Sequence, residues 1–491
     1  MYLSKSKYCK GIQCPKILWM DKNLPKEADN VDNSAVFNNG NRVGELAKDL
    51  FGFHFDVSFN VDLNTMIKDT EALLLNNKVV ITEASFNYDG NFCSVDILKK
   101  DNNEYEIYEV KSSTGVSDIY KEDVSYQYYV LTSLGYNVTK ACIVHIDTSY
   151  VRGKELDIHK LFKIVDVTDI VLEKQKEIPK RIEEIKKYVD NNTEEPAKDL
   201  DVCCFKPYEC AYFNYCSGNL KTNSVFDVPY IDYKKKLDYY KKGIYKYEDL
   251  LKADLPDKCK KVLDYIVNDK EDYIDKKAIN EFLDTLSYPL YFLDFESYAP
   301  SIPEYENMVP YRHIPFQYSL HYIEKENGEL KHTEFLAEDS VDPRRGVAEA
   351  LVRDIPMNVC TTAYNMSFEK MIIQDLADLY PDLREHLLNI KDNIQDLIIP
   401  FRSGAYYSKD MKGSNSIKAV LPALYPDDPS LNYHNLNDVH KGDEASAVFA
   451  ALKDMNEEDK KRYRESLLKY CELDTYAMVK LWEKLKESVN M

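Results

Sequence analysis

The 491-residue chain carries 64 Lys and Arg against 84 Asp and Glu, a net charge of −20, with 44% hydrophobic and 30% charged residues. That is globular composition, long enough for about three domains or two joined by a connecting module, and its 15 Gly and 19 Pro exclude collagenous and Gly/Pro-rich disordered classes. Eleven Cys are too sparse for a disulfide scaffold, and the acidity opposes long-range attraction to phosphate backbones, so composition alone describes a cytosolic enzyme with a solvated acidic surface.

The first twenty residues hold Lys5, Lys7, Lys10 and Lys16 without a continuous apolar core, so no signal peptide is expected. No window approaches the roughly 18 apolar residues of a membrane span, and a cytoplasmic protein without membrane attachment is expected. Residues 36–53 predict a helix with Val36, Phe37, Val43, Leu46, Ala47 and Leu50 on one side. Residues 79–110 change to short apolar or alternating runs at 79–81, 92–98 and 105–110, separated by Asp89-Gly90 and by residues 100–103, which predicts a meander of strands. A helix over 126–134, a buried strand over 141–147, one long charged helix over 165–191 and a polar linker over 191–198 follow. The Lys- and Tyr-rich 230–284 segment has a helix–Gly243–helix pattern. Strands and helices then alternate from Tyr288 to the C-terminus, with no internal repeat.

Asp96 sits in the strand Ser94-Val95-Asp96-Ile97-Leu98, and the next strand reads Ile107-Tyr108-Glu109-Val110-Lys111. Strand side chains alternate, so Glu109 and Lys111 share a face and an antiparallel neighbour brings Asp96 beside them. Two carboxylates and an ammonium suit a Mg²⁺ or Mn²⁺ site acting on a phosphoryl group, whereas the plain alternative is a surface ion pair. Asp, a strand, then Glu-x-Lys resembles the PD-(D/E)XK nuclease core, particularly its RecB-like branch. The resemblance implies metal ligands Asp96 and Glu109, a catalytic Lys111, and Gln127 approaching from the following helix. The chain departs from that branch at Leu131, where Tyr is usual, and in the first helix, which offers Glu45 and no His.

Cys204, Cys210 and Cys216 are spaced by five residues each, too far apart for the pairs that open most zinc sites. Thiolate sets of four suit iron–sulfur clusters, and Cys14, in Gln13-Cys14-Pro15-Lys16, is the candidate fourth. Together with Leu3-Ser4-Lys5-Ser6, this arrangement resembles RecB-like nucleases of the CRISPR-associated and AddB kinds. The resemblance implies a [4Fe-4S] cluster on Cys14, Cys204, Cys210 and Cys216. Buried inert thiols are the alternative, and the adjacent Cys203 competes as a ligand. Cys9, Cys93, Cys142, Cys259, Cys360 and Cys471 read as structural.

A second acidic group begins at Leu293-Asp294-Phe295-Glu296, where a strand period of two puts both acids on one face. Downstream come Asn365-Met366-Ser367-Phe368-Glu369, with Asn365 as the expected N-cap, and Tyr470-Cys471-Glu472-Leu473-Asp474, whose Tyr470 and Asp474 share a helix face. An Asp-x-Glu strand, a middle acid and a Tyr-x-x-x-Asp helix, in that order, resemble the DnaQ-like 3′–5′ exonucleases of the RNase H-like fold. The resemblance implies two divalent metals held by Asp294, Glu296, Glu369 and Asp474, with Tyr470 orienting the nucleophilic water. The middle acid is normally Asp; Glu369 is one methylene longer, and Asp396 is the other acid able to complete the site.

Ser416 to Pro422 and Gly442 to Ala445 also look like this family. Nearly the whole chain resembles bacterial fusions of a RecB-like nuclease with a DnaQ-like exonuclease. The expected fold is therefore α/β: a PD-(D/E)XK domain with an iron–sulfur staple over 1–222, a helical connector over 223–285 and an RNase H-like domain over 286–491. The expected function is metal-dependent phosphodiester hydrolysis with 3′–5′ exonuclease activity from the C-terminal half and a second nuclease site in the N-terminal half. The expected partner is nucleic acid, with DNA favoured over RNA and the choice left open, and repair, spacer acquisition and phage defence all stay open as pathways. In the connector, residues 234–261 carry ten Lys against five acids, and Tyr239, Tyr240, Tyr245 and Tyr247 are candidates for base stacking, against the alternative of a solvated helical hairpin with Lys outside and Tyr packed inside. Arg344-Arg345, residues 409–412 and Tyr406-Tyr407 are smaller candidate contacts. Two other classes compete: a nucleic-acid-binding or assembly protein with an inactive N-terminal nuclease fold and a structural cluster, and a metalloenzyme acting on small phosphorylated molecules.

Overall fold

Short β-branched and aromatic runs broken by turn residues form strands, and the longer periodic stretches form helices, giving a mixed α/β chain. The computed structural model describes residues 1–29, 34–218, 220 and 222–490, with the backbone alone for 34–39. Two compact units emerge: Met1–Lys221 with Pro300–Arg312, and Thr222–Ala299 with His313–Met491. The segment expected as a connector thus folds with the second unit.

In the first unit, β1 (Leu3–Ser4), β2 (Phe55–Asp56), β3 (Val80–Tyr88), β4 (Asn91–Asp101), β5 (Glu104–Lys111), β6 (Asn137–Ile146) and β7 (Phe162–Asp166) form one sheet. Its order is β2-β3-β4-β5-β6-β7, with β1 parallel to the start of β4. Asp89 and Gly90 join β3 to β4 with φ of 48° and 73°, the left-handed pair a tight hairpin requires. β5 runs antiparallel to β4 and parallel to β6, and the Asp118–Ser133 helix makes the crossover. The expected 36–53 helix is Ser34–Ala47 followed by a 3₁₀ turn at Lys48–Phe51, with Val43, Ala47 and Leu50 buried; the side chains of Val36 and Phe37 lie outside the described set.

One expected element is corrected. Residues 165–191 are not a single helix: Val165 pairs with Ile143 in the sheet, and Thr168–Lys174 and Ile178–Asn191 are separate helices. Pro179 explains the break, since its missing N–H is tolerated in a first turn and its ring would clash inside a continuous helix.

In the second unit, β8 (Tyr273–Ile274) pairs with β14 (Tyr406–Tyr407). The main sheet combines β9 (Leu290–Tyr298), β10 (Ile314–Ile323), β11 (Leu330–Leu336), β12 (Cys360–Ala363) and β13 (Ile394–Asp396) in the order β11-β10-β9-β12-β13. β9, β10 and β11 are antiparallel, and β12 and β13 continue parallel to β9. Along β9, Tyr291, Leu293 and Phe295 enter a core shared with the Pro343–Asp354, Ser367–Leu379 and Arg384–Asp392 helices. Leu290 and Phe292 enter the opposite core, against the Glu457–Asn490 helix. Asp294 and Glu296 continue that second face.

The Lys-rich segment folds as the Tyr233–Lys241, Tyr247–Leu250, Asp257–Val267 and Lys276–Leu283 helices. Tyr239 and Tyr247 are buried in its core and Tyr240 packs on Phe226 and Tyr245, so stacking on bases is closed to the first two. Tyr406 and Tyr407 are likewise buried, not facing a cleft. Among the described residues no helix is long and apolar enough to cross a membrane.

The Lys5–Gln13 helix packs through Gly11 on Ile185 of the Ile178–Asn191 helix, where an added Cβ would meet Ile185 Cδ1 at 2.8 Å and Cγ2 at 2.9 Å. Gly11→Ala should therefore destabilise the first unit by about 1–3 kcal/mol through overpacking, read as a lower denaturant midpoint. An unchanged or higher midpoint would contradict this packing.

Candidate functional site

Two groups of acids lie on the two sheets, and their charge balance differs. In the first unit the strand alternation delivers Asp96, Glu109 and Lys111 to one place as expected, and the Asp118–Ser133 helix adds Gln127. Gln127 Nε2 donates to Glu109 Oε2 at 2.6 Å, and Lys111 Nζ lies 2.6 Å from Glu109 Oε1. Asp96 Oδ2 accepts from the Val110 amide at 2.7 Å. Two further residues join them. Asp123, one helical turn before Gln127, accepts from Lys111 at 2.6 Å and from Gln127 at 3.2 Å. Lys5 reaches in from the first helix, with Nζ at 2.8 and 2.9 Å from the two Glu109 oxygens, 3.5 Å from Asp96 and 4.0 Å from Asp123.

Three carboxylates thus face two ammonium groups. Burial alone would raise Glu109, yet the Lys111 and Lys5 ammonium groups hold it well below the ordinary carboxylate range. Burial, with the Glu109 charge nearby, pushes Asp96 up to about 6. The i, i+4 spacing of Asp123 and Gln127 was a readable signal; nothing in the sequence ties Lys5 to residues about a hundred positions away. Glu45, the weak substitute for the missing His, pairs with Lys48 at 2.8 Å and is largely exposed.

Beyond this sheet, Cys14, Cys203, Cys204, Cys210 and Cys216 line one cavity. Cys14 starts the Pro15–Asn23 helix, and the Cys204 carbonyl accepts from the Cys210 amide at 3.0 Å, closing the cysteine loop. Cys203 is a fifth thiol here, hydrogen-bonded to both Cys14 and Cys204. Burial raises Cys210 to about 11. Lys198 near Cys14 and Lys16 near Cys216 act in the opposite sense, favouring thiolates.

In the second unit, one ligand atom each of Asp294, Glu296 and Asp474 lies within 4.8 Å of the others. β9 supplies the first two, and the Glu457–Asn490 helix, packed across the same face, supplies Tyr470 and Asp474 one turn apart. Glu369 stands in the first turn of the Ser367–Leu379 helix, close enough to Asp294 to repel its charge. It is buried, and its Oε2 has no hydrogen-bond partner. Asp396 is otherwise engaged: Oδ1 accepts from the amides of Asn365 and Ile398 at 2.9 and 3.3 Å, and Oδ2 faces Arg402 at 3.2 Å. Asn365 is not the N-cap. It takes a left-handed φ of 67°, and Met366 precedes the helix without a side-chain cap.

Lys418 and Tyr433 complete the group. Lys418 Nζ donates to Tyr470 Oη at 3.0 Å and lies over the rings of Tyr433 and Tyr470, 5.1 and 5.2 Å from their centroids. Tyr433 Oη donates to Asp474 Oδ1 at 2.6 Å. Lys418 lay in a stretch recognised only as similar to the family, and Tyr433, in a 3₁₀ turn, had no spacing signal. Burial, then the charges of Asp474, Glu296 and Glu369, raise Asp294 well above the carboxylate range; burial and Asp474 do the same to Glu296. Burial brings Glu369 up to about 8 and Asp474 to about 6. Four acids around one lysine demand protons or cations.

The basic spots are less available than their residue types suggest. Arg344 is held by Asp342, and Arg345 by Glu349 and Asp382. Lys409 pairs with Asp269.

A carboxyl raised in the folded state holds its proton more tightly there than when unfolded, so the associated stability is full below the ordinary carboxylate range and lost as pH rises through the folded value. Without divalent cation, the thermal midpoint should fall from about pH 4 to about pH 8, the Asp474 part being lost by about pH 6 and the Glu369 part by about pH 8. Millimolar Mn²⁺ should restore it, and Glu369→Gln should flatten the upper part of the slope. A midpoint that rises across this window in metal-free wild type would refute the assignment.

Residues 291–416 match a domain of unknown function, DUF2779. The match carries Asp294, Glu296, Glu369 and Asp396 and stops short of Lys418, Tyr433 and Asp474. No curated protein matches the chain.

Proposed function

We infer that the chain is a metal-dependent nuclease with a 3′–5′ exonucleolytic site on Asp294, Glu296, Glu369 and Asp474. The observation that carries this reading is the meeting of half-buried Asp294 with buried Glu296 and Asp474, with the unpartnered Glu369 oxygen beside them. Bound there, divalent cations supply Lewis-acid polarisation of a phosphoryl oxygen and an activated water. Tyr470, its oxygen held by Lys418, donates to Asp474 and stands where it orients a water for attack. Tyr433 fixes the Asp474 carboxylate from the other side. Three antiparallel strands extended by two parallel ones, with the first two acids on the middle strand, support an RNase H-like, DnaQ-like domain. DNA is the favoured substrate, met by local lysines such as the exposed Lys234 and Lys246 and not by the acidic surface as a whole.

For the first unit, the parallel β5–β6 pair with its crossover helix, together with Asp96, Glu109, Lys111 and Gln127, supports the PD-(D/E)XK reading. Lys5, lying among all three acids, favours a second reading in which this nuclease fold is inactive and binds or organises nucleic acid. A divalent cation held by Asp96 and Glu109 requires Lys5 to withdraw. The five-thiol cavity fits a [4Fe-4S] cluster by donor chemistry, with Cys14, Cys204, Cys210 and Cys216 as ligands and Cys203 as the alternate. Such a cluster would tie the chain's start to the end of the first unit.

Asp294→Ala or Asp474→Ala should lower 3′–5′ digestion of a 3′-labelled oligonucleotide about a hundred-fold or more. Undiminished digestion by both variants removes the exonuclease assignment. Metal-dependent cleavage that persists in Asp294→Ala and disappears on adding Lys111→Ala would make the first unit a nuclease; none at all supports the binding reading. Anaerobically purified protein should be brown with about four irons per chain, and zinc in their place would overturn the cluster.

A further inference from the structure

Beside the carboxylate group, on the same face of the second sheet, lies a set of side chains that the nuclease reading does not use. Asp294 on β9 is registered opposite Ser319 on β10, which is registered opposite Glu334 on β11; Phe292, His321 and His332 form the neighbouring row. Strand alternation turns Ser319, His321, His332 and Glu334 to the face that Asp294 occupies. The Glu457–Asn490 helix lies over this face and brings Glu472 and Thr475 to it. One ligand atom each from His321, His332 and Glu472 falls within 4.8 Å of the others, and His332 Nδ1 is 4.0 Å from Glu472 Oε1.

The imidazoles are held as metal-ligating histidines are, each through one nitrogen with the other left over. His321 Nδ1 bonds Thr475 Oγ1 at 2.8 Å, and His332 Nε2 bonds Ser319 Oγ at 2.9 Å. The two hydroxyls bond each other at 2.7 Å. This hydroxyl pair fixes ring orientation and leaves His321 Nε2 and His332 Nδ1 as the remaining nitrogens, in rings whose centroids are 4.5 Å apart. Glu334, two residues along β11 from His332, has a buried Oε2 without a hydrogen-bond partner.

We propose that His321, His332 and Glu472 form a separate site for a zinc-class transition-metal ion, pinning β10 and β11 to the helix that carries Tyr470 and Asp474. The donors decide the class: imidazole nitrogen with one carboxylate suits Zn²⁺, whereas the all-carboxylate group next to it suits Mg²⁺ or Mn²⁺. Bringing the Glu472 oxygen from 4.0 Å to the ~3.3 Å that separates two ligands on a tetrahedral ion takes a rotation of its half-exposed side chain. His321 is buried and Glu472 is open to solvent, so the ion enters from the helix surface and keeps a position for water. Zinc here and phosphodiester cleavage at the carboxylates are independent properties.

The test is Zn²⁺ retention by the full chain, dialysed to be zinc-free and then equilibrated with Zn²⁺ in excess Mg²⁺, which fills the carboxylate group. Wild type should retain zinc with a shell of nitrogen and oxygen at about 2.0–2.1 Å by X-ray absorption. His332→Gln should lose one zinc per chain relative to wild type, Glu472→Gln should weaken that ion's binding at least about ten-fold, and Asp294→Asn should leave it unchanged. Glu472→Gln alters a half-exposed side chain, so its result stands even where His332→Gln misfolds. Zinc bound only through sulfur at about 2.3 Å, equal retention by wild type and Glu472→Gln, or loss in Asp294→Asn would each overturn the proposal.

Discussion

Glu296 and Asp474 are buried and Asp294 is half-buried beside them, and the second unit is arranged around that repulsion. Like charges this close in a low-dielectric interior cannot all ionise without a compensating cation, and Lys418 offsets only part of the excess. The apolar framework makes the arrangement tolerable. Leu290 and Phe292 on one strand face, and Leu467, Ala477, Leu481 and Leu485 on the helix, lock β9 and the last helix together, leaving the acids no route apart. Hydrophobic burial on both sides of the group thus holds carboxylates that would otherwise separate.

The first unit meets the same difficulty with another device. There the acids are interleaved with lysines, and Lys5 in particular bridges Asp96, Glu109 and Asp123. A group so nearly neutralised from within has a weaker demand for an external cation. Two acid clusters of similar composition therefore differ in what they ask of solution: one is balanced by its own side chains, the other is left in deficit. The net charge of −20 is a poor guide to either, because the balance is decided within a few ångströms and not over the whole surface.

Much of the fold was legible where pattern and punctuation agreed. The Asp89-Gly90 hairpin, the strands carrying Asp96 and Glu109, the apolar strand ending in Asp294 and Glu296, and the one-turn spacing of Tyr470 and Asp474 are local properties. The errors were local competition resolved by distant partners. Val165 reads as the start of a charged helix but pairs in a sheet with Ile143, and Tyr406 and Tyr407 read as facing a cleft but fill a core, whereas Tyr239 and Tyr247 are packed inside as the hairpin alternative expected. Asn365 has a capping residue's chemistry yet takes a left-handed turn, held by Asp396. That contact also gives Asp396 partners that the Glu369 Oε2 lacks.

By itself the sequence determined which acids lie on strands and helices, in what order, and with which local neighbours, because the periods of strand and helix fix side-chain direction over a few residues. Only the tertiary structure decided which side chains surround them. Lys5 joins Glu109 across 104 positions, Lys418 and Tyr433 close on Tyr470 and Asp474, and Glu472 meets His332 on an adjoining row. Those partners are selected by how sheets and helices pack, and packing brings together residues that no local period relates.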